Sequence, residues 1–337
     1  MQTRKCIAFR FALLFLGVLG GLGGSGFLFA VAAHSAAPAF PTRPMRFVIP
    51  FPPGTSTDVV ARLVSQRLGE SLGQQIVIDN RAGASGTIGV EIAAHAAPNG
   101  YTWVLGTTST HALAPTLNPR LGYDPARDFA PVTMLGDAAY FLTTHPGIPA
   151  SNIQEFIAYA RANPGKVHYA SVGNASLGHL SGELFKKAAG IDMVHVPYKG
   201  STLAMVDLIA GRIQLQITTV PASLPHIKAG KLRALAVTSR ARISALPQVS
   251  TVAESGLPGY HATLWMGVFV PNRTPGQVTA LLNREISAIL RTPQMRAALS
   301  EQGFEARPLG PEDAARLVRD EAARWRKVIL EAGIRSE

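Results

Sequence analysis

A unit of strand, small polar loop and helix recurs along this chain and narrows the folds open to it more than any other feature. Its first copy is Arg46-Phe47-Val48-Ile49-Pro50-Phe51-Pro52-Pro53-Gly54-Thr55-Ser56-Thr57-Asp58. The apolar run 47–49 reads as a buried strand. Pro52 and Pro53 lack a backbone N–H and Gly54 tolerates unusual φ, so ladder and helix both stop there. Thr55, Ser56, Thr57 and Asp58 are helix-capping types, and an amphipathic run, 59–64, follows them. Asp58 reads as a capping residue rather than a base. Such a turn aims free N–H groups and hydroxyls at one spot and favours an anion there. Similar turns also occur in α/β proteins that bind nothing.

The unit then repeats. Residues 75–79 read as a strand, 80–87 as a loop, 88–97 as a helix, and 101–105 as a strand ending in the polar cluster 106–111. Short strands are expected at 132–134 and 140–143, a helix at 153–162, and a strand at 167–170. The loop 171–176 leads to a helix at 177–189. A strand at 193–196, a loop at 197–201 and another helix follow, with further strands at 213–217 and 232–237. This alternation predicts a parallel α/β sheet with its ligand-facing loops at the carboxyl ends of the strands. Residues 264–271 read as a strand returning to the first domain, followed by two or three helices. In the last helix Ala314, Leu317, Val318, Ala322, Trp325, Val328 and Ile329 form a core-packing stripe. The chain thus crosses twice between two Rossmann-like α/β domains, near 137–143 and 260–265, making a hinge with a cleft beside it. The expected division is 40–140 and 263–337 for domain 1, and 141–262 for domain 2.

Arg4, Lys5 and Arg10 precede the apolar, glycine-containing run 11–33, and Ala30-Val31-Ala32 and Ala37-Pro38-Ala39 are small-residue cleavage sites. Residues 1–39 therefore read as a cleavable signal peptide, with a retained anchor as the alternative, which places the mature chain in the periplasm. The single cysteine, Cys6, lies inside that segment. The mature chain then has no disulfide, thiolate nucleophile or thiolate metal site. Charged residues make up 16% of the 337, too few for extensive disorder. The formal charge of +11 permits a nucleic-acid partner, but Lys and Arg are scattered with no basic run, so none is expected.

Motifs for nucleophilic, metal or nucleotide chemistry are absent from the sequence, and no cofactor or metal is expected. His195 and His226 read as packing or hydrogen-bonding residues; His111 and His179 lie beside polar loops. What remains is a set of donor-rich loops. The candidate ligand contacts are Phe51, Pro53, Gly54, Thr55 and Thr57; Ser85; Thr107, Thr108, Ser109 and His111; Gly173, Asn174, Ala175 and Ser176; Tyr198 and Lys199; and Thr218. Donors without neighbouring acids suit a carboxylate, because charge-assisted hydrogen bonds are roughly twice as strong as neutral ones.

Five runs carry a family resemblance: Pro50-Phe51-Pro52-Pro53-Gly54, Asn80-Arg81-Ala82-Gly83, Pro98-Asn99-Gly100-Tyr101-Thr102, His195-Val196-Pro197-Tyr198-Lys199-Gly200 and the segment 225–236. From about Thr42 onward the chain resembles the Bug family, the TctC-like extracytoplasmic receptors of tripartite tricarboxylate transporters. The resemblance implies a two-domain periplasmic binding protein of type II-like fold that closes on a small carboxylate. It also implies that 51–57 holds ligand partly through trapped waters and that 173–176 holds its other end. Three positions depart from the family pattern: Thr55 replaces a glycine, Ser85 stands where glycine is frequent, and Ile217-Thr218-Thr219 replaces a Phe-Asp-Asn-like segment.

The expected partners are a small carboxylate and membrane transporter components, for a receptor acting as a monomer. Two alternatives remain open at this point: a signalling protein presenting its closed clamp to a membrane sensor kinase, and an exported enzyme using His111 or His179 as a base.

Overall fold

The computed structural model describes residues 40–334. The expected signal peptide, its cleavage sites and Cys6 lie outside the described residues. The first repeats run β1 (Met45–Ile49), α1 (Ser56–Leu72), β2 (Ile76–Asn80), α2 (Thr87–Ala94) and β3 (Thr102–Thr107). A π-helical turn, Thr108–Leu113, and two single-turn helices, α3 (Ala114–Leu117) and α4 (Pro125–Asp128), lead into β4 (Phe129–Thr144). Then come α5 (Ile153–Ala162), β5 (His168–Ser171), α6 (Leu177–Ala189), β6 (Val194–Pro197), α7 (Ser201–Ile209), β7 (Leu215–Thr219), α8 (Val220–Lys228) and β8 (Arg233–Val237). The chain ends with β9 (Thr263–Pro271), α9 (Gly276–Arg291), α10 (Pro293–Glu301), β10 (Phe304–Leu309) and α11 (Pro311–Glu331).

The strands lie in the order β2-β1-β3-β9-β4-β7-β5-β6, with β10 and β8 also paired to β4. β1 pairs in parallel with β2 and β3, and β5 pairs in parallel with β6 and β7. These are the two repeated α/β units, one per lobe. The strands that join them run antiparallel: β9 against β3 and β4, and β4 against β7, β8 and β10. The sheet is therefore mixed, not parallel throughout as the alternation alone predicts.

The two short strands expected at 132–134 and 140–143 are one strand of 16 residues. Gly136 and the small residues after it read as a break, but they form a bulge: Gly136 has φ 150° and the β4–β9 register shifts beside it. β10, expected as part of a helical C-terminus, is a strand because Phe304, Glu305 and Ala306 complete the ladder against Ala138, Asp137 and Gly136. That pairing comes from tertiary contact, not local propensity.

Along β4 the partner changes once. Phe129 to Ala139 face β9, while Tyr140 to Thr143 face β7. β9, between β3 and β4, is buried at every position after Thr263, which fits its unbroken apolar run. In α11, Ala314, Val318, Trp325, Val328 and Ile329 are buried in the main core and Leu317 and Ala322 pack at its edge. Glu321 is buried in the same helix.

Candidate functional site

In the first lobe, the loops leaving the carboxyl ends of β1, β2 and β3 converge. A Cβ on Gly86 would stand 2.8 Å from Thr110 Cγ2, 3.1 Å from the Phe51 ring and 3.3 Å from the Pro50 carbonyl. Only glycine, here at φ 95°, lets the three loops meet. Asp58 fastens the first of them. Its Oδ2 accepts from the Gly54 N–H and from Arg62 Nε, both at 2.9 Å. Its Oδ1 accepts from Asn80 Nδ2 at 2.9 Å, and the same amide nitrogen donates to the Phe51 carbonyl at 3.0 Å. Burial works to raise the Asp58 pKa, but the hydrogen bonds from Arg62, Asn80 and Gly54 hold it below the usual carboxylate value.

The Thr55 hydroxyl donates to the Pro52 carbonyl at 2.8 Å and lies 2.9 Å from the buried Thr57 hydroxyl. These two side chains therefore shape the loop, while Pro53 and Gly54 are exposed at its tip. The first-turn N–H groups of α1, at Ser56, Thr57 and Asp58, lie at the helix start, where no carbonyl of the helix reaches them. Ser85 is exposed in a left-handed conformation, φ 55°, at the entrance to α2.

Three residues expected to touch ligand from the third loop instead form its framework. Thr107 and Thr110 cap the π-helical turn reciprocally. The Thr108 hydroxyl donates to the Thr263 carbonyl and accepts the Trp265 N–H, both at 3.0 Å. His111, 1% exposed, lies in an aromatic cluster with its ring centroid 4.2 Å from Phe269 and 5.5 Å from Phe129. Burial pushes its pKa down to about 3, so it is neutral. Ser109, half-buried, remains on the turn.

The second lobe gathers its loops in the same way. Ser176 caps α6: its Oγ accepts the His179 N–H at 3.3 Å and donates to the Gly173 carbonyl at 2.7 Å. Ala175, at φ 57°, donates its N–H to His179 Nδ1 at 3.1 Å. The Ser171 Oγ donates to the Gly173 carbonyl at 2.9 Å and lies 2.7 Å from His195 Nε2. The Tyr198 N–H donates to the Ser171 carbonyl at 3.1 Å, joining the loops after β5 and β6. The Tyr198 hydroxyl donates to Asp207 at 2.7 Å; burial and then that carboxylate push its pKa up to about 12. Asn174 and Lys199 are exposed, and among the described residues Lys199 forms no ion pair. Thr218 is buried in β7 opposite Phe141.

The two clusters meet β4 at its change of partner. Thr263, which holds Thr108, stands opposite Ala139; Thr219, the neighbour of Thr218, stands opposite Tyr140. The sequence profile described as TctC, tripartite tricarboxylate transporter family receptor, matches residues 60–334. The chain belongs to the TctC family. It is 39% identical over 304 residues to the protein BugT of Bordetella pertussis, covering 90% of this chain and 93% of BugT. Among solved structures it resembles Rpa4515 of R. palustris with adipate, at 40% identity and TM-score 0.77, over 88% of this chain and 99% of that one. It also resembles MatC from Rhodopseudomonas palustris with bound malate, at 33% identity and TM-score 0.71, over 86% and 100% of the two chains.

TctC proteins are extracytoplasmic solute-binding receptors, and the two lobes described above are their two-domain α/β periplasmic-binding-protein fold. This TctC chain also has a cavity of about 760 Å³ beside β4 and the start of β9, lined by Asp137, Arg240, His261, Arg307 and Glu321 among others. None of the donor-loop residues lines it. Asn80, Thr110 and Ser171 help build the two clusters although they are not among the candidate contacts, and His195, read from sequence as a packing or hydrogen-bonding residue, makes a contact of that kind with Ser171. Asn80 and His195 do lie within the runs that carry the TctC resemblance, which was the available signal.

Proposed function

We propose that this TctC receptor closes its lobes on a small carboxylate anion in the periplasm and delivers it, as a monomer, to a tripartite tricarboxylate-type membrane transporter. The N-terminal segment serves as the export signal. The observation that carries the reading is the pair of donor clusters flanking the change of partner along β4. Each is built on helix N-termini: α1 and α2 in one lobe, α6 and α7 in the other. A helix N-terminus carries roughly half a positive charge and unsatisfied N–H groups, so facing ends favour an anion between them. The carboxylate within the first loop, Asp58, is already paired with Arg62 and does not oppose this. In this reading 40–140 and 263–337 move as one body and 141–262 as the other, hinged where β4 and the entry to β9 cross between them.

Adipate and malate, the molecules named with the two relatives, are both dicarboxylates, which makes that class the first to test. Neither histidine weighed as a catalytic base supports an enzyme reading. His111 is enclosed by aromatic rings, and His179 Nδ1 is engaged by Ala175. The test is a thermal and calorimetric screen of refolded, ligand-stripped protein against small acids, amines and neutral metabolites. Selective stabilisation by dicarboxylates is expected, about 2.7 kcal/mol at a hundredfold excess over Kd. Stabilisation only by amines or neutral compounds would overturn the reading.

A further inference from the structure

Beneath the 173–176 loop two imidazoles lie face to face. The rings of His179 on α6 and His195 on β6 have centroids 3.7 Å apart and planes within 4° of parallel. His179 touches the loop directly, and His195 reaches it through Ser171. His179 Nδ1 accepts the Ala175 N–H, so the neutral ring carries its proton on Nε2. Ser171 directs its hydroxyl proton to the Gly173 carbonyl, so His195 Nε2 is the donor in its contact with the Ser171 Oγ. Ala175 is held at φ 57°, a conformation that non-glycine residues rarely adopt without a tie. The bond to His179 is that tie.

We propose that the stacked His179–His195 pair is a proton-sensitive latch on the 173–176 loop, holding it in ligand-accepting shape when neutral and releasing it when protonated. This rests on reading that loop as part of the carboxylate site. A proton on His179 Nδ1 would set N–H against the Ala175 N–H, break the tie and leave a cation stacked on a second basic ring. The groups facing the pair are Glu183 and Lys186 on α6, 3.0 Å apart, and Tyr169 on β5, whose ring centroid lies 5.0 Å from that of His195. Tyr169 donates to Glu183 at 2.7 Å. Burial lowers both histidines, His195 to about 4 with His179 adding to the effect. The held loop thus binds protons less readily than the released loop. Holding is complete above the ordinary value of 6.5 and weakens as pH falls from there toward about 4.

Two measurements test the latch. In the ligand-free protein, the Ala175 amide resonance should titrate below pH 6.5, toward about 4, together with the His179 ring; an Ala175 amide indifferent to pH across that range overturns the latch. Adipate affinity, compared between wild type and His179→Asn, should fall further in wild type as pH drops from 6.5 toward about 4, by at most about tenfold per pH unit for one linked proton. Asn offers a non-titrating acceptor near the Nδ1 position, so the variant keeps the titration of adipate and of His195 and removes that of His179. Parallel profiles for the two proteins overturn the coupling. Failure of wild type to bind adipate at pH 7.5 would count against the adipate reading of the site, and the Ala175 resonance would still decide the latch.

Discussion

Replacing Asp58 with alanine would leave the Gly54 N–H and one of the two Asn80 Nδ2 protons without their acceptor, the other proton staying on the Phe51 carbonyl. Unsatisfied partly buried donors cost about 1–3 kcal/mol each. Asp58→Ala should therefore lower stability by about 2–3 kcal/mol in urea denaturation, and a loss under about 0.5 kcal/mol would show that Asp58 is not the fastener. Because its pKa is held below 3.8, its contribution is complete above that value and fades as pH falls further. Thr57→Ala and Ser176→Ala should each weaken adipate binding severalfold by calorimetry on folded protein. Ser176→Ala should also cost about 1 kcal/mol of stability as a lost helix cap. Wild-type affinity in both variants would mean that the site lies elsewhere. At this scale the capping types at 55–58 and 173–176 were legible, because a loop's residue types state which hydrogen bonds are possible. Which bonds are made was not legible. Thr108 reaches Thr263, 155 residues away, and His111 lies among rings from β4 and β9.

β4 carries the link between lobes as an element, and Gly136 is where it bends. A Cβ there would lie 2.1 Å from the Glu305 carbonyl, and φ is 150°. Gly136→Ala should cost about 2–4 kcal/mol in denaturant unfolding, from the clash with β10 and the strained backbone. A near-neutral result would mean that β10 can shift without loss. Periodicity identified the elements that pack one face on a neighbour, such as α5, α6 and α11. It failed at β10, where Glu305, Arg307 and Pro308 have weak strand propensity and the edge of β4 supplies the order. It also divided β4 in two, since a bulge glycine and a turn glycine look alike in sequence.

At the scale of the whole molecule, α11 is fastened to the segment before β9 through Glu321 and Arg324. The Glu321 Oε2 accepts from Arg324 at 2.8 Å and from Trp325 Nε1 at 3.0 Å, and its Oε1 lies 3.2 Å from His261 Nε2. Arg240 reaches the same His261 nitrogen at 2.7 Å, so Arg324 and Trp325 are the steadier partners. Burial works to raise Glu321, but hydrogen bonds and charge from His261 and Arg324 bring its pKa down to about 2. Glu321→Gln should lower stability by about 2–3 kcal/mol near neutral pH, since one side of a buried charged network is lost. The deficit should hold above the ordinary 4.5 and shrink as pH falls from there toward about 2, where wild-type Glu321 is protonated as well. A deficit unchanged across that range in acid-denaturation curves would refute the assignment.

The sequence by itself determined the repeated strand–loop–helix units, the hydroxyl-rich loops at their strand ends and the family. All of these are written in residues close together along the chain: an apolar run, a Pro-Pro-Gly turn, a capping serine or threonine. Only the tertiary structure decided that the joining strands run antiparallel, that 129–144 is one strand serving both lobes, and that His111 is core while His179 and His195 stack beneath a loop. Those outcomes depend on partners brought together from distant parts of the chain, and a side chain's hydrogen bonds and ionisation follow from that company rather than from its type.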